Sequence, residues 1–354
     1  MCGAAMSMED ELKELDIAAD PQIKELQKII STLQRQLAQA KQKTDAYVDA
    51  TYRGAFDAMY ALGPIPPVPE PPAHLAIGKP EWALAVGTDW QGSKKTTTYN
   101  TAVMKRRVMQ FGEKVVRLTE IQAKDHPIEG LVLALGGDLV EGLFNYNAQL
   151  WQVDASLHEQ WETVALLLVD LVRYFLAHFQ KVVVVSEWGN HGRIGSKRAE
   201  VPKSDNVDRM CYTFARRILE NESRLTWKDS PEDIQRIHIP SPTGKGPGYR
   251  ALLMHGDELG RNGFASPAAW RAAANRWRAG AYKWKFQDLY LGHYHSDMEM
   301  PIQGRGKIYW TGSTESDNRY ARDSMAEGGD PSQRLHFVSP ELGRITAKYQ
   351  IWLD

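Results

Sequence analysis

The chain is poor in cysteine: its 354 residues hold two, Cys2 and Cys211, and no CxxC pair. That excludes a disulfide framework and a cysteine-based zinc site. No apolar run approaches the roughly 20 residues that a membrane-spanning helix needs. Net charge is nearly absent as well, since 43 Lys and Arg face 44 Asp and Glu. No global field therefore announces a nucleic-acid partner, although a local basic surface would suffice. The opening MCGAAMSMEDELKEL has no basic region followed by an apolar core. It is no ordinary signal peptide, and Cys2-Gly3 without such a core is no lipobox. The expectation is a cytoplasmic protein without membrane contact. What is present is 43% hydrophobic and 25% charged residues, enough for a soluble globular protein with a sizeable core.

Residues 1–20 carry Glu9, Asp10, Glu11, Glu14, Asp16 and Asp20 and little core material, which predicts a mobile or weakly helical start. Asp20 and Pro21 then stand as cap and first helical position. Ile23, Leu26, Ile30, Leu33, Leu37 and Ala40 follow at alternating spacings of three and four. This is the narrow apolar seam of an amphipathic helix with a coiled-coil pattern. Three uses fit it: lying on the chain's own domain, self-association, or docking to another protein. Prolines at 64, 66, 67, 69, 71, 72 and 80 exclude a helix interior or a central strand and predict an extended, semi-rigid connector. The chain thus reads as an acidic segment and helix over 1–60, a linker over 61–80 and a main domain over 81–354.

Within that domain, strand patterns at 82–87, 131–136 and 181–186 alternate with helical patterns at 100–123, 158–179 and 205–220. A short strand at 237–240, a strand at 249–255 and a helix at 267–282 come next. Strands at 286–291, 307–311, 335–338 and 345–351 close the chain. The βαβα rhythm predicts an α/β fold with right-handed crossovers.

The stretch Leu131–Gly142, LVLALGGDLVEG, stops an apolar run at Gly136-Gly137-Asp138. So a buried strand delivers a carboxylate to its C-terminal mouth. The same grammar recurs four times: Asp89 and Gln91, Gly189-Asn190-His191, His255-Gly-Asp257, and Gly292-His293-Tyr-His295. One Asp or His after a strand is usually a cap or a turn residue. Five such endings, rich in oxygen and imidazole donors, point to metal chemistry, and the glycines let each chain turn where the ligand leaves its strand.

The ordered set D-x-Q, GGD-x-x-E, GNH-x-R, HGD and GH-x-H resembles the calcineurin-like metallophosphoesterase superfamily. Within it the chain looks most like the Mre11/SbcD-type nucleases and phage-encoded relatives, over roughly residues 82–315. The resemblance implies an α-β-β-α four-layer sandwich, here with an N-terminal helical extension, and two divalent metal ions at the strand ends. It makes Asp138 the bridging carboxylate. Asp89, Gln91 and His295 would complete one ion's protein shell, and Asn190, His255 and His293 the other's. His191 would stand beside the scissile phosphate as the catalytic residue. The chain departs from the pattern at Gln91, where the family usually has His. Two ions about 3.5–4 Å apart neutralise phosphate oxygens and make hydroxide available near neutral pH. A mixed oxygen and nitrogen donor set without thiolate suits Mn²⁺ best, with Mg²⁺, Fe and Zn²⁺ as alternatives.

Glu141 and Asp257 are candidates for supporting the ligands from behind. Arg193, Lys197, Arg198, Asn145, Tyr146, Arg271 and Arg278 are candidates for substrate contact, against the plainer alternatives of a solvated loop and a helix with a wet basic face. Trp270 and Trp277, seven apart, share one helix face, as core residues do. Three functions stand against one another: a DNA nuclease of phage type, acting in a bacterial host cell; a phosphoesterase for small nucleotides or phosphoproteins; and an assembly protein with a vestigial metal site.

Overall fold

The computed structural model describes residues 21–73, 76–143, 145, 149–194, 202–229, 234–259, 264–316 and 330–354. The chain divides into two compact units between Phe56 and Asp57. The division falls inside one long helix, α1 (Pro21–Leu62), which spans about 63 Å at 1.5 Å per residue. On it Leu26, Ile30 and Leu33 are more than half exposed. Beyond Ala40 the apolar rhythm fades, yet few helix breakers intervene, and the helix runs on to Leu62.

Among the described residues of the larger unit, eleven strands form two sheets. The first runs β11–β10–β1–β2–β3–β4: β1 (Glu81–Gly87), β2 (Ile128–Leu135), β3 (Val182–Ser186), β4 (Leu225–Asp229), β10 (Ser332–Ser339) and β11 (Arg344–Trp352). Strands β1 to β4 are mutually parallel, and β10 and β11 add an antiparallel edge. The second runs β5–β6–β7–β9–β8: β5 (Gln235–Ile239), β6 (Tyr249–Met254), β7 (Asp288–Leu291), β8 (Met298–Ile302) and β9 (Gly306–Trp310). Here β6, β7 and β9 are parallel.

Side chains alternate across each strand. Leu84, Val86, Val132, Ala134 and Val185 therefore meet Ile237, Ala251, Leu253, Tyr290 and Tyr309 in one buried layer between the sheets. The alternate residues Ala83, Ala85, Leu131 and Leu133 are equally buried on the other face. Helices α2 (Thr101–Gln122), α3 (Leu157–Leu176) and α4 (Val207–Ile218) belong to this side; a Cβ on Gly112 of α2 would strike Leu171 of α3, so these two helices touch closely. Helix α5 (Pro267–Arg276) buries Trp270 and Ala274 against Leu252, Leu289, Leu291 and Trp310 of the second sheet. The result is a mixed α/β sandwich with helices flanking two sheets, as in the calcineurin-like phosphoesterase fold. Each fully buried Leu or Val contributes roughly 1.5–3 kcal/mol.

Strands β4 and β8 went unforeseen. Their sequences, LTWKD and MEMPI, lie at sheet edges, half exposed, and carry charge or proline that dilutes the strand pattern. The helix expected over 267–282 ends at Arg276 in a single π turn, Trp277–Ala281, where Gly280 takes φ 130°. Beyond Leu62 the described residues of the proline-rich segment form no regular element, and several are fastened by hydrogen bonds. Ile65 N donates to Ile218 O (3.3 Å), Val68 N to Glu222 Oε1 (2.8 Å), and Arg224 Nη2 to Val68 O (2.9 Å). Gln180 donates to Pro71 O. Among the described residues no helix is long and apolar enough to cross a membrane.

Candidate metal centre

The C-terminal ends of five parallel strands meet at one point. From the first sheet, β1 delivers Asp89 and Gln91, β2 delivers Asp138, and β3 delivers Asn190 and His191. From the second, β6 delivers His255, and β7 delivers His293 and His295. Ligand atoms of Asp138, His255 and His293 all lie within 4.8 Å of one another, and all three residues are buried. His255 Nε2 stands 3.1 Å from Asp138 Oδ2 and 2.9 Å from Asn190 Oδ1. Gln91 Nε2 stands 3.4 Å from the same Asp138 oxygen and 3.3 Å from His295 Nε2. His295 Nε2 is in turn 3.4 Å from Asp89 Oδ1. Asp138 Oδ2 therefore has one group of donors at His255 and Asn190 and another at Gln91 and His295.

Backbone strain is concentrated here. Asp89 (φ 53°), Gln91 (48°), Asp138 (51°), His293 (68°) and His295 (52°) all take left-handed backbone. For residues other than glycine that conformation costs about 1–3 kcal/mol and clusters at functional sites. Two motif glycines have a different duty. A Cβ on Gly189 would run into the Asp138 carboxylate, and one on Gly292 into Asp89 and Thr88. Side chains are absent there so that the carboxylates can approach the neighbouring strand end.

Each imidazole is held from behind. His255 Nδ1 lies 2.8 Å from Gly136 O, so it carries the proton and leaves Nε2 facing the cluster. His295 Nδ1 faces Glu315 Oε2 at 3.2 Å, and His191 Nδ1 faces Glu141 Oε2 at 3.2 Å. The His293 ring stacks on Phe264 with centroids 4.5 Å apart. Burial, and then the neighbouring His255, hold His293 well below the usual histidine range, so it stays a neutral donor. Burial opposes charge on His255 and His295 too. Asp138 overrides it at the first, Asp89 and Glu315 at the second, and both rise to about 10. Burial likewise opposes charge on His191, but Glu141 and Asp138 raise it. Burial would push the Asp138 carboxyl up, yet His255 and His191 bring it down, keeping the carboxylate ionised.

Several residues of the site were not foreseen. Asp208, buried on the first turn of α4, accepts from the N–H groups of Asp138 (2.8 Å), Leu139 (3.0 Å), Val140 (3.3 Å) and Gly189 (3.0 Å). One carboxylate thus ties the β2 and β3 loops together. Burial and the nearby Asp138 push it up to about 6. Asn206, which caps α4, donates to Gly189 O at 2.8 Å. The Asn206-Val-Asp208 start of a helix was the readable signal. Glu258 accepts from the N–H groups of His255 and Gly256 and is held by Lys203 Nζ at 2.9 Å. Glu315 follows β9 in the same strand-then-polar grammar as the ligands, so its signal was present. Lys94, buried between Glu141 and Glu315, carried none.

The remaining candidates fall in different places. Glu141 backs His191, as described. Asp257 pairs with Lys203 (2.8 Å) and, more loosely, with Arg193 (3.8 Å). Asn145 Nδ2 donates to the carbonyls of Asn190 (2.6 Å), His191 (3.0 Å) and Arg193 (3.2 Å), so it holds the His191 loop in shape. Arg278 donates to Gln287 O (2.6 Å) and Gly304 O (2.9 Å) and lies over Phe286. Arg271 is exposed. Trp270 is fully buried, with Trp277 packed against its cluster. Tyr146, Lys197 and Arg198 lie outside the described residues.

The donor set fits a cation. Gln91 Oε1 and His293 Nε2 are buried without a hydrogen-bond partner among the described residues. A half-turn of the Gln91 amide exchanges its oxygen and nitrogen and presents an acceptor to the cluster. Asp138 and Asn190 add oxygens, and His255 adds Nε2, in a site free of thiolate.

No family model matches the chain, and no curated protein does. Among solved structures, it is similar to Vps29 of Entamoeba histolytica complexed with zinc, at 11% identity over 77% of this chain and 99% of that one, with a TM-score of 0.34. A 5'-nucleotidase from Candida albicans matches at 10% identity over 82% of this chain and 54% of that one, TM-score 0.36. A phosphopantetheinyl hydrolase from Mycobacterium tuberculosis matches at 14% over 66% and 90%, TM-score 0.29. At these scores the architecture rests on the sheets and layers themselves.

Proposed function

We propose that the protein is a metal-dependent phosphoester hydrolase. The observation that carries this is the convergence of Asp89, Gln91, Asp138, Asn190, His255, His293 and His295 on one buried point, four of them oxygen donors and three imidazoles, with five of the seven in left-handed backbone. Such strain persists where the surrounding fold over-determines it for a task. Asp89, Gln91 and His295 would hold one divalent ion and Asn190, His255 and His293 a second, with Asp138 shared. Bound there, Mn²⁺ or a similar ion neutralises phosphate oxygens and makes hydroxide available near neutral pH. His191 is partly exposed, and its Nε2 lies 3.8 Å from Asp138 Oδ2. Its Nε2 faces the cluster, where it would meet a phosphate and donate a proton to the leaving oxygen. Glu141 Oε2 and Gln149 Nε2 both lie against the opposite ring nitrogen and hold the ring in place.

The site handles a phosphate and leaves the remainder of the substrate open. Arg193 pairs with Asp257, and Arg278 is engaged by two carbonyls. Two of the cations expected to follow a DNA backbone are thus occupied internally. This favours a small phosphoester, a nucleotide or a phosphorylated side chain, over a polymer. The DNA nuclease reading rests on the motif resemblance to Mre11/SbcD-type enzymes and on the exposed Arg271. A second reading, an assembly protein with a vestigial site, is favoured by the open apolar seam of α1, which would take a second copy or another protein.

The test is a panel: Mn²⁺, Mg²⁺ or Zn²⁺ with a chromogenic monoester, a chromogenic diester, single-stranded DNA, duplex DNA and plasmid. Hydrolysis of the small esters that His191→Ala removes supports the proposal. Cleavage confined to DNA selects the nuclease. Inactivity with every ion, together with failure to bind any of them, leaves the assembly reading.

A further inference from the structure

Lys94 belongs to none of the sequence motifs, yet it lies at the middle of the buried charges behind the site. Its Nζ stands 3.2 Å from Glu315 Oε1 and 3.8 Å from Glu141 Oε2, and its side chain is 9% exposed against 1% and 2% for theirs. Glu315 turns its other oxygen, Oε2, to His295 Nδ1 at 3.2 Å. Glu141 faces His191 Nδ1 at 3.2 Å. The order is His295, Glu315, Lys94, Glu141, His191, with one cation between two carboxylates and one imidazole at each end. Lys94 is itself pinned. Its N–H donates to Gln91 O at 2.8 Å, and its backbone bridges to Val153.

We infer that Lys94 is a positioning residue that sets two separate functions of the site at once: the metal-holding orientation of His295 and the proton-donating orientation of His191. The Lys94 ammonium lies between two buried carboxylates and offsets their mutual repulsion across a region of low dielectric. Each carboxylate fixes its histidine by the ring nitrogen facing away from the cluster, and such backing partners govern both tautomer and ring angle. The two Nε2 atoms meet different partners: that of His295 stands near Asp89 and Gln91, that of His191 near Asp138 Oδ2. Loss of the shared cation releases both holds together, which loss of either glutamate cannot do. The His191 half rests on the hydrolase reading proposed above; the His295 half does not.

The experiment compares Lys94→Met, Lys94→Arg, Glu141→Gln and Glu315→Gln in the full chain. Two readouts are taken on each variant: the Mn²⁺ binding isotherm, and kcat and KM for a series of phosphoesters with graded leaving groups. Glu315→Gln is expected to weaken Mn²⁺ about 10–100-fold, the usual range for a ligand's backing partner, while leaving-group dependence stays as it was. Glu141→Gln is expected to lower kcat most for the poorest leaving groups, with Mn²⁺ affinity unchanged. Lys94→Met is expected to do both, and Lys94→Arg to recover most of both. A Lys94→Met protein that binds Mn²⁺ normally, or that keeps the original leaving-group dependence, overturns the proposal. If Lys94→Met does not fold, Lys94→Gln takes its place: both readouts must shift, and a shift in one only, or in neither, overturns the proposal. If the unaltered protein hydrolyses no ester, the hydrolase reading fails. The Mn²⁺ isotherm of Lys94→Met then decides, with weakened binding supporting the role of Lys94 and unchanged binding refuting it.

Discussion

The two sheets bring different chemistry to the same point. The first supplies oxygen donors, Asp89, Gln91, Asp138 and Asn190; the second supplies imidazoles, His255, His293 and His295. They also brace their loops differently. In the first sheet a single carboxylate, Asp208, gathers four backbone N–H groups from two loops. In the second, each histidine has its own partner: Gly136 O for His255, Glu315 for His295, and the face of Phe264 for His293. The difference teaches that neither sheet alone holds a complete donor set. A cation that prefers mixed oxygen and nitrogen ligands is served only where the sheets are packed, so metal binding and inter-sheet packing should be coupled.

Six substitutions would break or sharpen that comparison. Asp138→Ala removes an oxygen that lies near both His255 and Gln91; Mn²⁺ binding and hydrolysis should both vanish, seen by isotherm and by ester turnover. His191→Ala should leave Mn²⁺ bound and lower kcat about 10²–10⁴-fold on esters with poor leaving groups, the range for losing a positioned proton donor. Next come two neighbours on β6. Leu253 faces the layer between the sheets, and Leu252 faces the outer layer under α5. Either Leu→Ala change should cost about 2–5 kcal/mol in denaturant unfolding, but only Leu253→Ala should also weaken Mn²⁺. Equal loss of affinity in both would separate metal binding from inter-sheet packing. Asp208→Asn keeps one accepting oxygen and turns an NH2 donor towards the backbone N–H groups that the other oxygen served; at about 1–3 kcal/mol for each donor left unsatisfied, it should loosen the first sheet's loops while the histidines of the second keep their geometry, read by hydrogen exchange.

The smallest effect is expected at Glu299 of β8, which reaches Lys307 of the second sheet and Lys348 of the first, each at 2.6 Å. Although it joins the sheets, it is 41% exposed, so Glu299→Gln should cost less than about 1 kcal/mol. Some burial pulls the Glu299 carboxyl upward, but the hydrogen bonds from Lys307 and Lys348 outweigh it and hold it below the usual 4.5. Its contribution is therefore complete above that value and is lost as pH falls. Unfolding titrations of the variant and the unaltered chain should converge in acid and differ slightly at neutral pH.

Much of this arrangement was legible before any coordinate. The central strands β1, β2, β3, β6 and β7 announce themselves because burial on both faces demands unbroken apolar runs, and their ends announce themselves because Gly, Asp, Asn and His interrupt those runs. The edge strands β4 and β8 were not legible, since an edge tolerates charge and proline. Asp257, read as a backing group for its neighbour His255, is instead paired with Lys203 and Arg193; Glu258 takes the His255 backbone. Adjacency in a chain does not say which of two successive carboxylates turns inward.

The order of strand and ligand, the α/β class and the set of metal-capable residues were determined by sequence, because hydrophobic period and ligand chemistry are local properties. The grouping of those residues around Asp138, the grip of Asp208 on two loops, and the buried line from His295 through Lys94 to His191 were decided only by tertiary structure. They join residues from 19 to more than 200 positions apart, and such contacts exist only once separate loops, and in several cases both sheets, have been packed together.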